Sequence, residues 1–149
     1  MDFFRYKSTP TGTELFAEDV PVAAIAAAAG TPVYIYSKAT LLTHYQRIAE
    51  AFAALKPTIC YSIKSCPNIQ ILKTLIAAGS GMDVTSGGEL YRALAAGCDP
   101  QKIFFAGVGK TDKEIREALS VAGAGGAKGI GTFNIESEEE FWNLDRLAG

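Results

Sequence analysis

The chain has 149 residues, 48% of them apolar and 20% charged, which reads as one soluble domain with a real core. A formal net charge of −2, with no acidic or basic tail, excludes electrostatic capture of nucleic acid. The longest apolar stretch, Val20 to Gly30, is about half of a membrane span, and Met1-Asp2-Phe3-Phe4-Arg5 lacks the lead of a signal peptide. Residues 1–18 are mixed in pattern and assign poorly. Asp19 is expected to cap a helix over roughly Pro21–Ala29, with Gly30 ending it. Pro32–Tyr36 reads as a short strand. Leu41, Tyr45, Ile48 and Phe52 recur at helical spacing and predict an amphipathic helix over 39–55.

From residue 58 the rhythm is regular. Thr58–Lys64 is a predicted strand, and Ile69, Leu72, Leu75 and Ile76 mark a helix closed at Gly79. Met82–Ser86 is a strand, followed by a helix over about Gly88–Ala96. Ile103–Ala106 is a strand, and Thr111-Asp-Lys-Glu114 is a capping box that opens the next helix. Ile130–Ile135 is a strand, and Ser137-Glu-Glu-Glu140 is a second capping box. The small-residue run from Ala122 to Gly129 between them reads as a loop insertion. Four strand–helix units in a row predict an α/β fold with a parallel sheet, closing as a (βα)₈ barrel or staying open and doubly wound.

Alternation in Thr58–Lys64 puts Ile59, Tyr61 and Ile63 on one face and Cys60, Ser62 and Lys64 on the other. In a barrel the bulky face packs under helices and the smaller face lines the interior. Lys64 then stands at the C-terminal end of a strand, aimed inward, where α/β active sites form. Partial desolvation there would make its amine a nucleophile suited to Schiff bases. The same pattern also fits an ordinary surface lysine at a strand end. Asp83 faces opposite to Met82 and Val84, hence inward, where it would balance a protonated imine. Glu89 lies in a first helical turn, where the helix dipole alone favours an acid.

Other patterns carry less. Gly107-Val-Gly-Lys110-Thr111 is not a P-loop, because Phe104 stands where the motif requires glycine. The glycine run 123–129 does not follow a strand as a dinucleotide fingerprint does. His44, the only histidine, falls on the polar side of its helix. The three cysteines, Cys60, Cys66 and Cys98, form no Cys-x-x-Cys and fit a reducing cytoplasm. Cys66 and Cys98 have no ligand partners at metal spacing, so no metal site is expected.

Four ordered stretches carry a resemblance that covers about residues 30–149. They are Tyr61-Ser-Ile-Lys64-Ser-Cys-Pro-Asn68, the run from Gly79 through Asp83, Ser86 and Glu89 to Gly97, the run from Lys102 to Thr111, and Gly131-Thr-Phe-Asn-Ile-Glu-Ser137. Together they resemble the fold-type III pyridoxal-phosphate-dependent decarboxylases, most closely those acting on diaminopimelate. The resemblance implies that residues 31–149 are the N-terminal half of a cofactor-binding (βα)₈ barrel. Residues 1–30 would contribute to a second, β-rich domain. It implies pyridoxal 5'-phosphate as cofactor, carried covalently by Lys64, with Asp83, Ser86 and Glu89 beside it. Lys64 is also the implied catalytic residue.

The implied reaction is decarboxylation of meso-2,6-diaminopimelate to L-lysine, by a cytoplasmic homodimer with no nucleic-acid or membrane partner. Alternatives on the same fold are another basic amino-acid decarboxylase and a non-catalytic pyridoxal-phosphate-binding protein. The family pattern after the strand is Lys-Ala-Asn, and here it is Lys64-Ser65-Cys66. The stacking histidine, the glycine-rich phosphate loop, the acid that pairs with the pyridine nitrogen and the C-terminal substrate-binding residues of the family have no match in residues 1–149. The chain by itself is therefore expected to be inactive.

Overall fold

Side-chain caps set where the α-helices from Ile69 onward begin. The computed structural model describes residues 2–10 and 12–149, which divide into a unit up to Glu50 and a unit from Ala51. In the first unit, β1 (Phe4–Thr9), β2 (Gly12–Ala17) and β3 (Val20–Pro21) form an antiparallel sheet in that order. The stretch that assigns poorly in sequence is therefore mostly hairpin. Helix α1 (Val22–Ala29) follows, with Pro21 before its first turn and Gly30 after its last.

Asp19 does not cap α1, because its carboxylate pairs with Lys7 Nζ at 3.0 Å. Its neighbour Glu18 caps a different helix, α2 (Lys38–Ala51). Glu18 Oε1 accepts from the Ala39 N–H at 2.9 Å and from the Ser37 hydroxyl at 2.8 Å. The Ala39 amide first, then the Ser37 hydroxyl, holds the Glu18 carboxyl below its ordinary value. Pro32–Tyr36 is not a strand. Its apolar residues invite that reading, but a strand also needs a pairing partner, and Tyr34 stands 89% exposed. Helix α2 stops at Ala51, and Ala53–Leu55 forms a separate 3₁₀ turn.

The second unit is a parallel sheet of β4 (Cys60–Ser62), β5 (Gly81–Val84), β6 (Ile103–Phe105) and β7 (Thr132–Phe133), in sequence order. Between and after them run α3 (Ile69–Ala77), α4 (Gly87–Ala95), α5 (Asp112–Ser120) and α6 (Glu138–Ala148). Successive helices α3 to α6 pack neighbour against neighbour. The small-residue run between α5 and β7 is a turn closed by a bridge between Ala122 and Lys128.

Register decides which side chains share a face. Tyr61 pairs with Met82 and Met82 with Ile103; Val84 pairs with Phe105. Met82, Val84, Ile103 and Phe105 are all fully buried, so this face packs under the helices with Ile63, Leu72 and Ile115. Each such side chain stabilises the fold by roughly 1.5–3 kcal/mol. The opposite face carries Ser62, Asp83 and Phe104 in one row, all half-buried. At the head of β5, only glycine fits at position 81: a Cβ there would sit 2.5 Å from the Lys102 carbonyl and 2.7 Å from Cys60 Sγ. That close approach draws β5 against β4 and fixes the row in which Ser62 meets Asp83.

Candidate active site

The site is built from the C-terminal ends of the parallel strands. β4 ends at Ser62, and the chain turns through a 3₁₀ segment, Ile63–Ser65. Lys64 lies in that turn with an exposed side chain. Two expectations are corrected here: the strand does not run to Lys64, and the amine is not desolvated within the described residues. The cause is Ile63, which is fully buried and anchors a turn that breaks the two-residue alternation. The turn packs on β5 and α4. Beyond it, the Tyr61 hydroxyl donates to the Cys66 carbonyl at 3.4 Å, and Arg92 Nη1 donates to the Pro67 carbonyl at 3.2 Å. Burial raises the Tyr61 phenol above its ordinary value, which keeps it a donor.

Asp83 sits mid-strand in β5, directly beside Ser62 in the ladder. Ser86 is the N-cap of α4, its Oγ accepting from the Glu89 N–H at 3.3 Å. Glu89 bends back, and its Oε2 accepts from the Thr85 N–H at 2.8 Å and the Thr85 hydroxyl at 3.2 Å. Its other oxygen, Oε1, takes no hydrogen bond among the described residues. Lys64 thus follows the C-terminal end of β4, while Asp83 lies within β5 and Ser86 and Glu89 follow the C-terminal end of that neighbouring strand. Cys60 opens β4 and Cys98 precedes β6, so these two thiols lie at the opposite, N-terminal ends of the strands; burial raises both, Cys98 to about 11.

Two contacts between successive strand–helix repeats of the second unit hold this rim, and neither is visible as a local motif. Glu114 completes its capping box with Thr111, Oε2 accepting from the Thr111 N–H at 3.0 Å. Its Oε1 reaches back to the Gly87 N–H of α4 at 2.7 Å. The second contact is Lys110, whose side chain is 1% exposed. Its ammonium donates to the carbonyls of Gly107 at 2.7 Å and Asn134 at 2.9 Å and to Glu140 Oε1 at 2.5 Å. Glu140 Oε2 takes the Glu136 N–H at 2.8 Å. The second predicted capping box is therefore only half formed. Ser137 Oγ does accept from the Glu140 N–H at 3.2 Å, but Glu140 is drawn to Lys110 and Glu136 instead of returning to Ser137.

The Gly87 amide first, then Thr111, lowers the Glu114 carboxyl below its ordinary value of 4.5. A carboxyl lowered in the folded state stabilises above its unfolded value, and that contribution is lost as pH falls through the folded one. Glu114→Gln is accordingly expected to lower the melting temperature at pH 7 and to flatten its decline as pH falls below the ordinary carboxyl value of 4.5. Thermal melts of both proteins at several pH values across that decline check this; parallel curves would contradict it.

The residues fit a ring-bearing aldehyde cofactor with polar substituents. An exposed primary amine stands at the strand ends to meet the aldehyde. Ser62 Oγ beside it is buried and has no partner among the described residues. A Cβ on Gly88, at the mouth of α4, would approach only Ser86 Oγ, at 3.9 Å, so the backbone there is open to a bound group.

Comparison with known proteins agrees. Residues 38–149 match the family model described as "Pyridoxal-dependent decarboxylase, pyridoxal binding domain". The chain is 43% identical over 149 residues to a diaminopimelate decarboxylase of Vibrio cholerae, covering 100% of the chain and 33% of that relative. A crystal structure from Aquifex aeolicus superposes with a TM-score of 0.85 at 37% identity, covering 99% of this chain and 33% of that one. The diaminopimelate decarboxylase of M. jannaschii, solved in complex with L-lysine, superposes at 0.83 with 30% identity, over 98% of this chain and 32% of that one. The chain thus spans about one third of the length of the relatives it matches. On the match over residues 38–149, this chain belongs to the pyridoxal-dependent decarboxylases.

Proposed function

We propose that this chain is the cofactor-carrying part of a decarboxylase that converts meso-2,6-diaminopimelate to L-lysine. The observation that carries the reading is the 43% identity to a diaminopimelate decarboxylase along the whole chain. In this reading residues 31–149 are the first half of a (βα)₈ barrel, and residues 1–30 belong to a second, β-rich domain. The strand order β4-β5-β6-β7, which rises without the reversal of a doubly wound sheet, supports the barrel. In this reading the full protein is a cytoplasmic homodimer.

When bound, pyridoxal phosphate supplies an electron sink for the carbanion left as carbon dioxide departs. The chain's own residues do the rest. Lys64 would hold the cofactor through its Nζ. The same Nζ would be placed to move a proton to or from the substrate. Its turn is fastened through Tyr61 and Arg92, so the amine works from a fixed base on a flexible stem. Asp83, on the half-buried face of β5, would balance positive charge on the nitrogen of Lys64 and not that of the cofactor ring. Glu89 is clamped by Thr85 through one oxygen, which leaves Oε1 to orient a polar edge of the cofactor. Ser86 Oγ accepts from the Glu89 N–H and retains its own proton to donate.

Carbon dioxide release, measured on the product of the full natural reading frame with added pyridoxal phosphate, tests the substrate. Release from meso-diaminopimelate should exceed that from ornithine, arginine or lysine by at least about a hundred-fold. Equal or greater release from one of the others would replace diaminopimelate as the substrate. A folded, cofactor-loaded protein that releases none from any of them would be a non-catalytic binder.

A further inference from the structure

We propose that Ser62 is a further cofactor-contacting residue, its hydroxyl being the hydrogen-bond group that β4 holds for the pyridoxal phosphate carried on Lys64. The inference rests on the proposed role of Lys64 and on one anomaly. Among the described residues, Ser62 Oγ is the buried side-chain polar atom without a hydrogen-bond partner. The fold satisfies its other buried serines. Ser80 Oγ donates at 2.7 Å to the Gly81 carbonyl, and Ser37 Oγ donates to Glu18 Oε1 at 2.8 Å while accepting from the Thr40 N–H at 3.0 Å. A buried hydroxyl left unpaired destabilises the fold, whereas an apolar side chain of similar size would not. Alanine at position 62 would remove that penalty, so the hydroxyl has a role that this structure does not satisfy.

Its place indicates which role. Ser62 is the last residue of β4, immediately before the turn that bears Lys64. It lies in register with Asp83 on the half-buried face of the sheet. Parallel α/β sheets bind their ligands at the C-terminal ends of their strands. A group tethered to Lys64 Nζ brings a ring with several hydrogen-bonding atoms to that end. Ser62 can both donate and accept, and its χ1 rotation alone adjusts it to whichever atom is presented.

The test uses the product of the full natural reading frame, as wild type and as Ser62→Ala and Ser62→Cys. Two quantities are read: the dissociation constant for pyridoxal phosphate, from its absorbance on the protein, and the melting temperature without cofactor. The expected result is a dissociation constant raised about five- to ten-fold in both variants, the range of one neutral hydrogen bond. The cofactor-free Ser62→Ala protein should melt at or above the wild-type temperature. Cysteine keeps the volume but is only a weak donor, so a loss in both variants assigns the effect to the hydrogen bond. An unchanged dissociation constant in Ser62→Ala would overturn the inference while leaving the role of Lys64 intact. So would a loss of stability without cofactor, which would make the hydroxyl a structural group. A wild-type protein that takes up no cofactor would overturn both.

Discussion

Lys64→Ala is expected to lower decarboxylation by at least about a thousand-fold and to leave the melting temperature of the cofactor-free protein nearly unchanged. The two halves of that expectation come from different facts. The amine is the one nucleophile at the strand ends that is both exposed and free of a competing partner. Lys64 makes no salt bridge and no side-chain hydrogen bond among the described residues, and its neighbour Ile63, not Lys64 itself, supplies the buried anchor of the turn. Removing the side chain therefore removes chemistry without removing packing. Lys64→Arg sharpens the test, because a guanidinium keeps the positive charge yet forms no Schiff base. It should be as inactive as the alanine variant. Activity within ten-fold of wild type in either protein would show that Lys64 does not carry the reaction.

The largest stability effect is expected at Lys110. Its ammonium is buried and shared among two carbonyls and Glu140, whose side chain is 15% exposed. Truncating it to Met leaves a largely buried carboxylate without its cation and two carbonyls without their donor. Breaking one side of such a pair costs about 3–5 kcal/mol, a large part of the 5–15 kcal/mol that holds a typical domain. Replacing both partners, as Lys110→Met with Glu140→Leu, should cost less than the sum of the single changes by about 1–3 kcal/mol. Urea denaturation midpoints of the four proteins of the cycle measure this. Additive single effects would show that the two side chains do not depend on each other.

The elements that read correctly from sequence are those governed by neighbours along the chain. Ile69, Leu72 and Leu75 sit on one face of α3, and the buried Leu72 and Leu75 confirm that the spacing records a core-facing stripe. The Thr111–Glu114 box forms as its spacing predicts, because both partners lie within one turn. Reading fails where the partner is distant. Pro32–Tyr36 has the composition of a strand and no ladder to join. Ser137–Glu140 has the spacing of a full box, yet Glu140 answers to Lys110, 30 residues earlier. Gly87 and Glu114 meet across 27 residues, which no local pattern announces.

The site shows the same division. Alternation along β4 and β5 correctly groups Ser62 with Asp83 but extends the pleat one turn too far at Lys64. The strand's end there is set by the burial of Ile63 against the next unit. Lys110 enters the sequence reading as part of a rejected phosphate loop and of the stretch from Lys102 to Thr111, with no structural role assigned to it. A buried lysine with three acceptors has no signature in one dimension. Ser62 was assignable to the small face of the strand, but its missing partner becomes visible only with the packing in hand.

The central claim, that Lys64 carries the cofactor, is tested most directly by fixing the linkage and finding its address. The product of the full natural reading frame is loaded with pyridoxal phosphate, reduced with borohydride, digested and mapped by mass spectrometry. The account predicts a single stoichiometric pyridoxyl label on the peptide that contains Lys64. A label on another lysine, or none on a protein that binds the cofactor, would contradict it.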